Sequence, residues 1–246
     1  MALDLSHPKA SVNWAISNLD DFKKRLEDWI KLNINMVRRD VDPDGTDFLL
    51  VAIRNSQLPL EFSVEAGAYI NAFRSALDIL ATSLLNYDCI TDVTDTYFPI
   101  CKSSNTFGKE GTKGSNLING VSAQCRNILE SVQPYNRPDD LLLPLHNMDV
   151  ERKHKRLLSV EFITPKLGVV GRETRDNFIP NPSGFQRSDN ETILGKIAKS
   201  EQNPQFHLAC NIAFDECFFP RGTRVIEQLR TFGAYVHSVI NEFAVL

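Results

Sequence analysis

The chain lacks the pairings that cysteine-based sites require. Its five cysteines, Cys89, Cys101, Cys125, Cys210 and Cys217, are odd in number and scattered. None lie two residues apart, and none stand at zinc-finger spacing from a histidine. That pattern argues against a disulfide framework, a structural zinc site or a Cys-x-x-Cys redox motif, and fits free thiols in a reducing cytoplasm. Basic excess is missing too. The net charge is −4 and the pI near 5.8, so any contact with nucleic acid has to come from a local patch. His-Glu-x-x-His, Gly-x-Ser-x-Gly and the dinucleotide Gly-x-Gly-x-x-Gly fingerprint are all absent, which removes the basis for metalloprotease, serine hydrolase and Rossmann readings. Gly108–Gly114 is glycine-rich but lacks the GxxxxGK[ST] spacing of a phosphate loop and reads as a flexible surface loop. The start, MALDLSHPKASVNW, has no charged region followed by an apolar run, so no secretory signal is expected.

What is present is an ordinary globular composition. The 246 residues are 42% hydrophobic and 24% charged, enough for a sizeable core. Ser11–Arg39 reads as a long amphipathic helix, with Trp14, Leu19, Phe22, Leu26, Trp29, Ile30 and Ile34 at helical spacing. Asp42-Pro43-Asp44-Gly45 is a strong turn signal, and Phe48–Arg54 is apolar and β-branched enough for a strand. A central helix is expected over Glu61–Asn86, followed by irregular chain at Thr91–Ile100. Further helices are expected over Ser115–Val132, Leu141–Met148 and Thr223–Phe243. Leu157–Thr164 and Gln205–Asp215 alternate like strands, while Gly171–Gln202 is turn-rich and resists assignment. Pairing of the Phe48–Arg54 and Gln205–Asp215 strands would tie the two ends of the chain together. The expected fold class is α+β, a helical bundle with a small antiparallel sheet. One domain is expected, with a helical core over about 11–158, a strand-containing part over about 159–222 and a C-terminal helix over about 223–243.

The central helix carries the sharpest clue. Between Ala66 and Leu85 only Arg74 and Asp78 are charged, and four residues apart they share a face. Asn71 and Thr82 extend the same polar stripe. The apolar length would span a bilayer, but ionised groups at mid-membrane are rare, so no membrane is expected. Arg74 and Asp78 are expected to be buried and in contact, because unpaired charges in such a place are costly. Either they form a structural ion pair, or Asp78 holds Arg74 toward a phosphate or carboxylate, which a planar guanidinium grips well. A second feature is the basic run Arg152-Lys153-His154-Lys155-Arg156. It is either a solvated charged end of a helix or a phosphate-holding cluster with His154 as proton carrier. Arg230 and His237, seven apart on the last helix, match a spacing that chance alone produces about once in such a chain.

Four segments taken together resemble an uncharacterised bacterial family: Arg74-Ser-Ala-Leu-Asp78-Ile-Leu-Ala81, Phe98-Pro99-Ile100, Gln133-Pro134-Tyr135 and Lys153-His154-Lys155-Arg156-Leu157-Leu158. The likeness covers roughly residues 47–160. The helix motif is also similar to the arginine-to-histidine signature of the HEPN superfamily (higher eukaryotes and prokaryotes nucleotide-binding). That resemblance implies a helical, dimeric, metal-independent ribonuclease of a bacterial defence or stress system. In its chemistry an arginine stabilises phosphate charge while a histidine moves protons at the 2′-hydroxyl. Where the pattern has histidine, this chain has Ile79.

Two functions follow as expectations. The first is a HEPN-like protein that binds RNA or a nucleotide, with ribonuclease activity as its catalytic form. Arg74, Asp78 and His154 are then the catalytic candidates, with Asn71, Arg152, Lys153, Lys155 and Arg156 as phosphate or RNA contacts. The alternative is a non-catalytic module for a protein partner, antitoxin-like or scaffolding. A homodimer is expected, because the long first helix and the last helix, Thr223–Phe243, offer more apolar surface than a small sheet covers. No metal and no cofactor are expected for either function.

Overall fold

The fold is α+β, and its helices are built on one long apolar core. The computed structural model describes residues 3–34, 36–90, 96–137, 140–170, 176–200 and 205–246. Helix α1 (Ser6–Asn33) turns Val12, Ala15, Leu19, Phe22, Leu26 and Trp29 inward at helical spacing. Helix α2 (Leu60–Tyr87) buries residues on most of its circumference, as a central helix does. It ends where Cys89 takes a left-handed φ of 57°. Helix α6 (Val225–Glu242) packs against both, through Leu229, Phe232, Val236 and Ile240.

Between α2 and α6 lie α3 (Ser115–Gly120), α4 (Ala123–Ser131) and α5 (Leu142–His154). Ser122 separates α3 from α4 because its hydroxyl accepts the Cys125 N–H at 3.4 Å, an N-cap that starts a new helix. The single helix expected over Ser115–Val132 is therefore two. The helix expected over Leu141–Met148 runs two turns further, so the basic run begins inside α5. No helix among the described residues is long and apolar enough to cross a membrane.

Among the described residues, two antiparallel sheets complete the fold. Strands β1 (Met36–Val41), β2 (Asp47–Ile53), β4 (Phe178–Ser188) and β5 (Glu191–Ala198) form one sheet in the order β1-β2-β5-β4. Strands β3 (Val160–Val170) and β6 (Gln205–Phe214) form a two-stranded ribbon. The turn at Asp42–Gly45 closes the β1–β2 hairpin, with Gly45 at φ 71° donating to the Asp42 carbonyl at 2.8 Å. Strand β1 occupies residues expected in the first helix, which stops at Asn33. The expected pairing of the strand at Phe48 with the strand at Gln205 does not occur. Hairpin closure gives β2 one partner in β1, β5 takes its other edge, and β6 pairs with β3. Residues 91–95, expected to be irregular, lie outside the described residues, as do 171–175 and 201–202 of the turn-rich stretch.

The larger sheet has its own small apolar cluster, centred on Leu50, Ala52, Leu194 and Ile197. Strand β6 links the clusters: Phe206 packs on the small one, while Ile212 and Phe214 belong to the helical core. At Gly195 of β5, a Cβ would stand 2.4 Å from the Phe178 ring and 2.6 Å from the Ile179 carbonyl. The second contact is with backbone, which cannot swing away. Gly195→Ala is expected to destabilise the protein by about 2 kcal/mol through overpacking. A urea melt checks this, and an unchanged midpoint would refute the close approach of β4 to β5.

Candidate functional site

Arg74 and Asp78 meet as the spacing predicts, and they close around a third element. Arg74 Nη1 donates to Asp78 Oδ1 at 2.5 Å, and Nη2 donates to the Phe98 carbonyl at 3.1 Å. The Phe98 N–H donates to the same Asp78 oxygen at 2.9 Å. Arg74 is only 5% exposed, whereas the Asp78 side chain is 30% exposed, so the pair is buried at its cationic end alone. A second side chain continues the work along the same segment. Gln133 is fully buried. It accepts the Cys101 N–H at 2.9 Å and donates to the carbonyls of Pro99 (3.1 Å) and Leu129 (2.8 Å). Buried irregular backbone needs partners for its polar groups, and these two side chains supply them for Phe98–Cys101. The Arg-x-x-x-Asp, Phe-Pro-Ile and Gln-Pro-Tyr segments thus converge on one pinned stretch of chain.

The pinned stretch in turn shapes the glycine loop. Gly114 has φ 82°, and a Cβ there would stand 2.9 Å from Pro99 Cβ and 3.0 Å from the Tyr97 carbonyl. Glycine alone fits. Its neighbour Lys113 lies with its ammonium 5.6 Å over the Tyr97 ring. Gly108, at φ 72°, accepts from the Asn119 amide at 3.0 Å, and beside it the Arg126 guanidinium stands 5.9 Å over the Phe107 ring. Lys102, Lys109, Lys113 and Arg126 are all exposed, and Tyr97 is 38% exposed. From Tyr97 to Arg126 the only acidic residue is Glu110, so this stretch carries a formal charge of +3 in a chain of −4.

His146, on α5, borders the same region. It is half-buried, and its pKa is held below the usual histidine range by burial and then by the Arg74 charge. Lys113 acts in the same direction, and Asp149 and Asp78 oppose it. The imidazole is therefore biased toward its neutral, proton-accepting form. Sequence reasoning passed over His146 because Leu-Leu-Pro-Leu-His reads as plain apolar helix. The basic and aromatic residues of the 97–126 stretch were passed over because they are dispersed, not consecutive. Ile79, in the slot that the resembled helix motif fills with histidine, is 36% exposed.

The basic run is placed elsewhere and is engaged. Asp149, 4% exposed, receives Arg152 at 3.4 Å and Lys153 at 2.6 Å. Lys155 pairs with Glu151 at 2.9 Å. Arg156 grips Glu216 with two parallel bonds of 3.0 and 2.9 Å, while Glu216 also accepts the Ser159 N–H at 2.6 Å. The Arg152 stem passes so close to Gly67 that a Cβ there would stand 3.0 Å from its Cδ, which brings the end of α5 against the first half of α2. His154 is exposed and takes part in no hydrogen bond or ion pair among the described residues. It stands eight residues after His146, about 12 Å along the helix axis. Asn71 is half-buried one turn before Arg74. Arg230 and His237 take separate partners, Asp20 at 2.5 Å and Asn241 at 3.0 Å.

The arrangement can attract a phosphate-bearing strand, offer rings for stacking and present a neutral imidazole. No protein-family model, no curated protein and no solved structure matches the chain.

Proposed function

We propose that the protein binds RNA or a nucleotide through the Tyr97–Arg126 face, beside His146, within a HEPN-like helical scaffold. The observation that carries this reading is the pair of cation–ring stacks, Lys113 on Tyr97 and Arg126 on Phe107, on a stretch of formal charge +3. Cations that follow a phosphate backbone, interleaved with rings that take bases, are what single-stranded nucleic acid requires of a surface. Arg74 and Asp78 lie below this face as its support. With two donors committed and 5% exposure, Arg74 acts on a ligand through its field and through Phe98, not by contact. Ribonuclease action, and with it a place in a bacterial defence or stress system, is the further step that the HEPN likeness implies. In this protein that step would run through His146.

A non-catalytic module for a protein partner is the second reading. It is favoured by the net charge of −4 and by carboxylates that engage all four cations of the run at 152–156.

The test is titration of a labelled single-stranded RNA at several salt concentrations. Affinity is expected to fall steeply with salt, and Lys113→Ala to reduce the slope by about 0.7, the value for one phosphate contact on a single strand. Tyr97→Ala is expected to weaken binding roughly tenfold, the loss of one stacked base. Salt-insensitive affinity, or affinity unchanged in a Lys109→Ala/Lys113→Ala double variant, would move the reading to the protein-partner module.

A further inference from the structure

A separate pocket opens where α1 crosses α2, on other faces of the bundle's helices. Trp14, Asn18, Asp21 and Arg25 recur along one face of α1, and Glu65, Ala68 and Tyr69 face them from α2. Together they line a cavity of about 220 Å³. Trp14 is 60% exposed, although a ring of its size gains much from burial. It leans on Tyr69, with centroids 6.5 Å apart and planes 26° from parallel. Tyr69 is held in place by donating to the Asn18 carbonyl at 2.9 Å.

One half of this surface already holds a cation of the protein's own. The Arg25 guanidinium hydrogen-bonds Glu65 and lies 5.9 Å over the Phe22 ring. Further along the same lining stand another ring and another carboxylate. Trp14 supplies the ring and Asp21 the carboxylate, and Asp21 forms no ion pair among the described residues. The lining carries two carboxylates against one guanidinium, which disfavours phosphate. Its volume is below the roughly 300–1,000 Å³ of sites for drug-sized molecules, so it suits a head group.

We propose that the Trp14–Tyr69–Asp21 pocket binds an organic cation of the quaternary- or methylated-ammonium type. Such a group is large and weakly hydrated, gains from the face of an indole, and keeps its charge beside Asp21. The same chemistry is offered by a free choline-like molecule and by a trimethylated lysine side chain of a protein.

The test titrates the whole protein with choline, with a short peptide carrying trimethyllysine, with the same peptide unmodified, and with 3,3-dimethylbutanol, the neutral isostere of choline. Tryptophan fluorescence reports on Trp14, because Trp29 is only 9% exposed. A saturable change is expected with at least one trimethylammonium probe, and roughly tenfold weaker binding of its uncharged or unmodified counterpart. A response to the peptide without a response to choline identifies a protein side chain as the source. By calorimetry, Asp21→Asn and Trp14→Ala are each expected to weaken binding at least fivefold, while circular dichroism shows both still folded. Equal binding of the neutral isostere, undiminished binding by both variants, or no saturable response to either trimethylammonium probe at millimolar concentration would overturn the proposal.

Discussion

Asp78→Ala is expected to destabilise the protein by roughly 3 kcal/mol, the low end of what breaking a buried pair from one side costs. Three losses combine. Arg74, 5% exposed, is left without its carboxylate. The Phe98 N–H loses its acceptor. The segment that carries Tyr97, and against which Gly114 packs, is then held by Arg74 Nη2 and Gln133 alone. Partial exposure of Asp78 is what keeps the figure at the low end, because water can reach part of the site. For a chain of this length, the loss corresponds to a fall of about 10 °C in a thermal melt. Asp78→Asn keeps an oxygen for the Phe98 N–H and is expected to lose about half as much. Because Gln133 pins the same four residues, Asp78→Ala and Gln133→Leu are expected to be non-additive. A wild-type midpoint for Asp78→Ala would show that Phe98–Cys101 is held by packing and not by these bonds.

This clamp also marks how far the sequence could be read. The Arg74–Asp78 contact was legible because an i,i+4 spacing is local and fixes two side chains on one face. What the pair holds was not legible, since Phe98 lies twenty residues from Asp78 and nothing in a helical period points to it. The same division runs through the fold. Helices α2 and α6 follow from their apolar periodicity, and the β1–β2 turn from Asp-Pro-Asp-Gly. Strand β1, by contrast, reads as the tail of a helix because Met-Val-Arg-Arg-Asp-Val contains no breaker. Its state is decided by the ladder it makes with β2. Strands β4 and β5 are hidden by Pro180, Pro182 and Gly195. The partner of β6 is a matter of long-range register, which no local pattern carries. The basic run shows the same limit. Consecutive cations look like a surface for phosphate, but their partners Asp149 and Glu216 are buried carboxylates whose own need for a counter-charge is invisible in the sequence.

If the protein cleaves RNA, as the proposed function's catalytic form requires, His146→Ala is expected to lower cleavage by about 10²–10⁴-fold while leaving RNA affinity within about threefold of wild type, as removal of a general acid–base group does. The argument rests on placement and charge. His146 is half-buried near Arg74 and Lys113, and burial and the Arg74 charge hold its pKa below the ordinary value. Near neutral pH it is therefore an acceptor, the form that can take a proton from a 2′-hydroxyl, while the nearby cations favour the phosphate charge that develops. The same shift fixes the sign of a second observable. A histidine whose folded pKa is lowered binds its proton more readily when unfolded, so its contribution to stability is present above the unfolded value near 6.5. That contribution is lost as pH falls through the lower folded pKa. His146→Gln is expected to flatten that part of the stability profile. A bound phosphate opposes the Arg74 charge and should raise the His146 pKa, which NMR titration of the imidazole can follow with and without a short oligonucleotide. His154→Ala, exposed and two turns further along α5, is expected to change neither cleavage nor the titration. Cleavage lost in His154→Ala and kept in His146→Ala would return the catalytic role to the basic run. Binding without cleavage in the wild-type protein, assayed with EDTA to silence metal-dependent nucleases, would leave a binding protein in which His146 tunes affinity with pH.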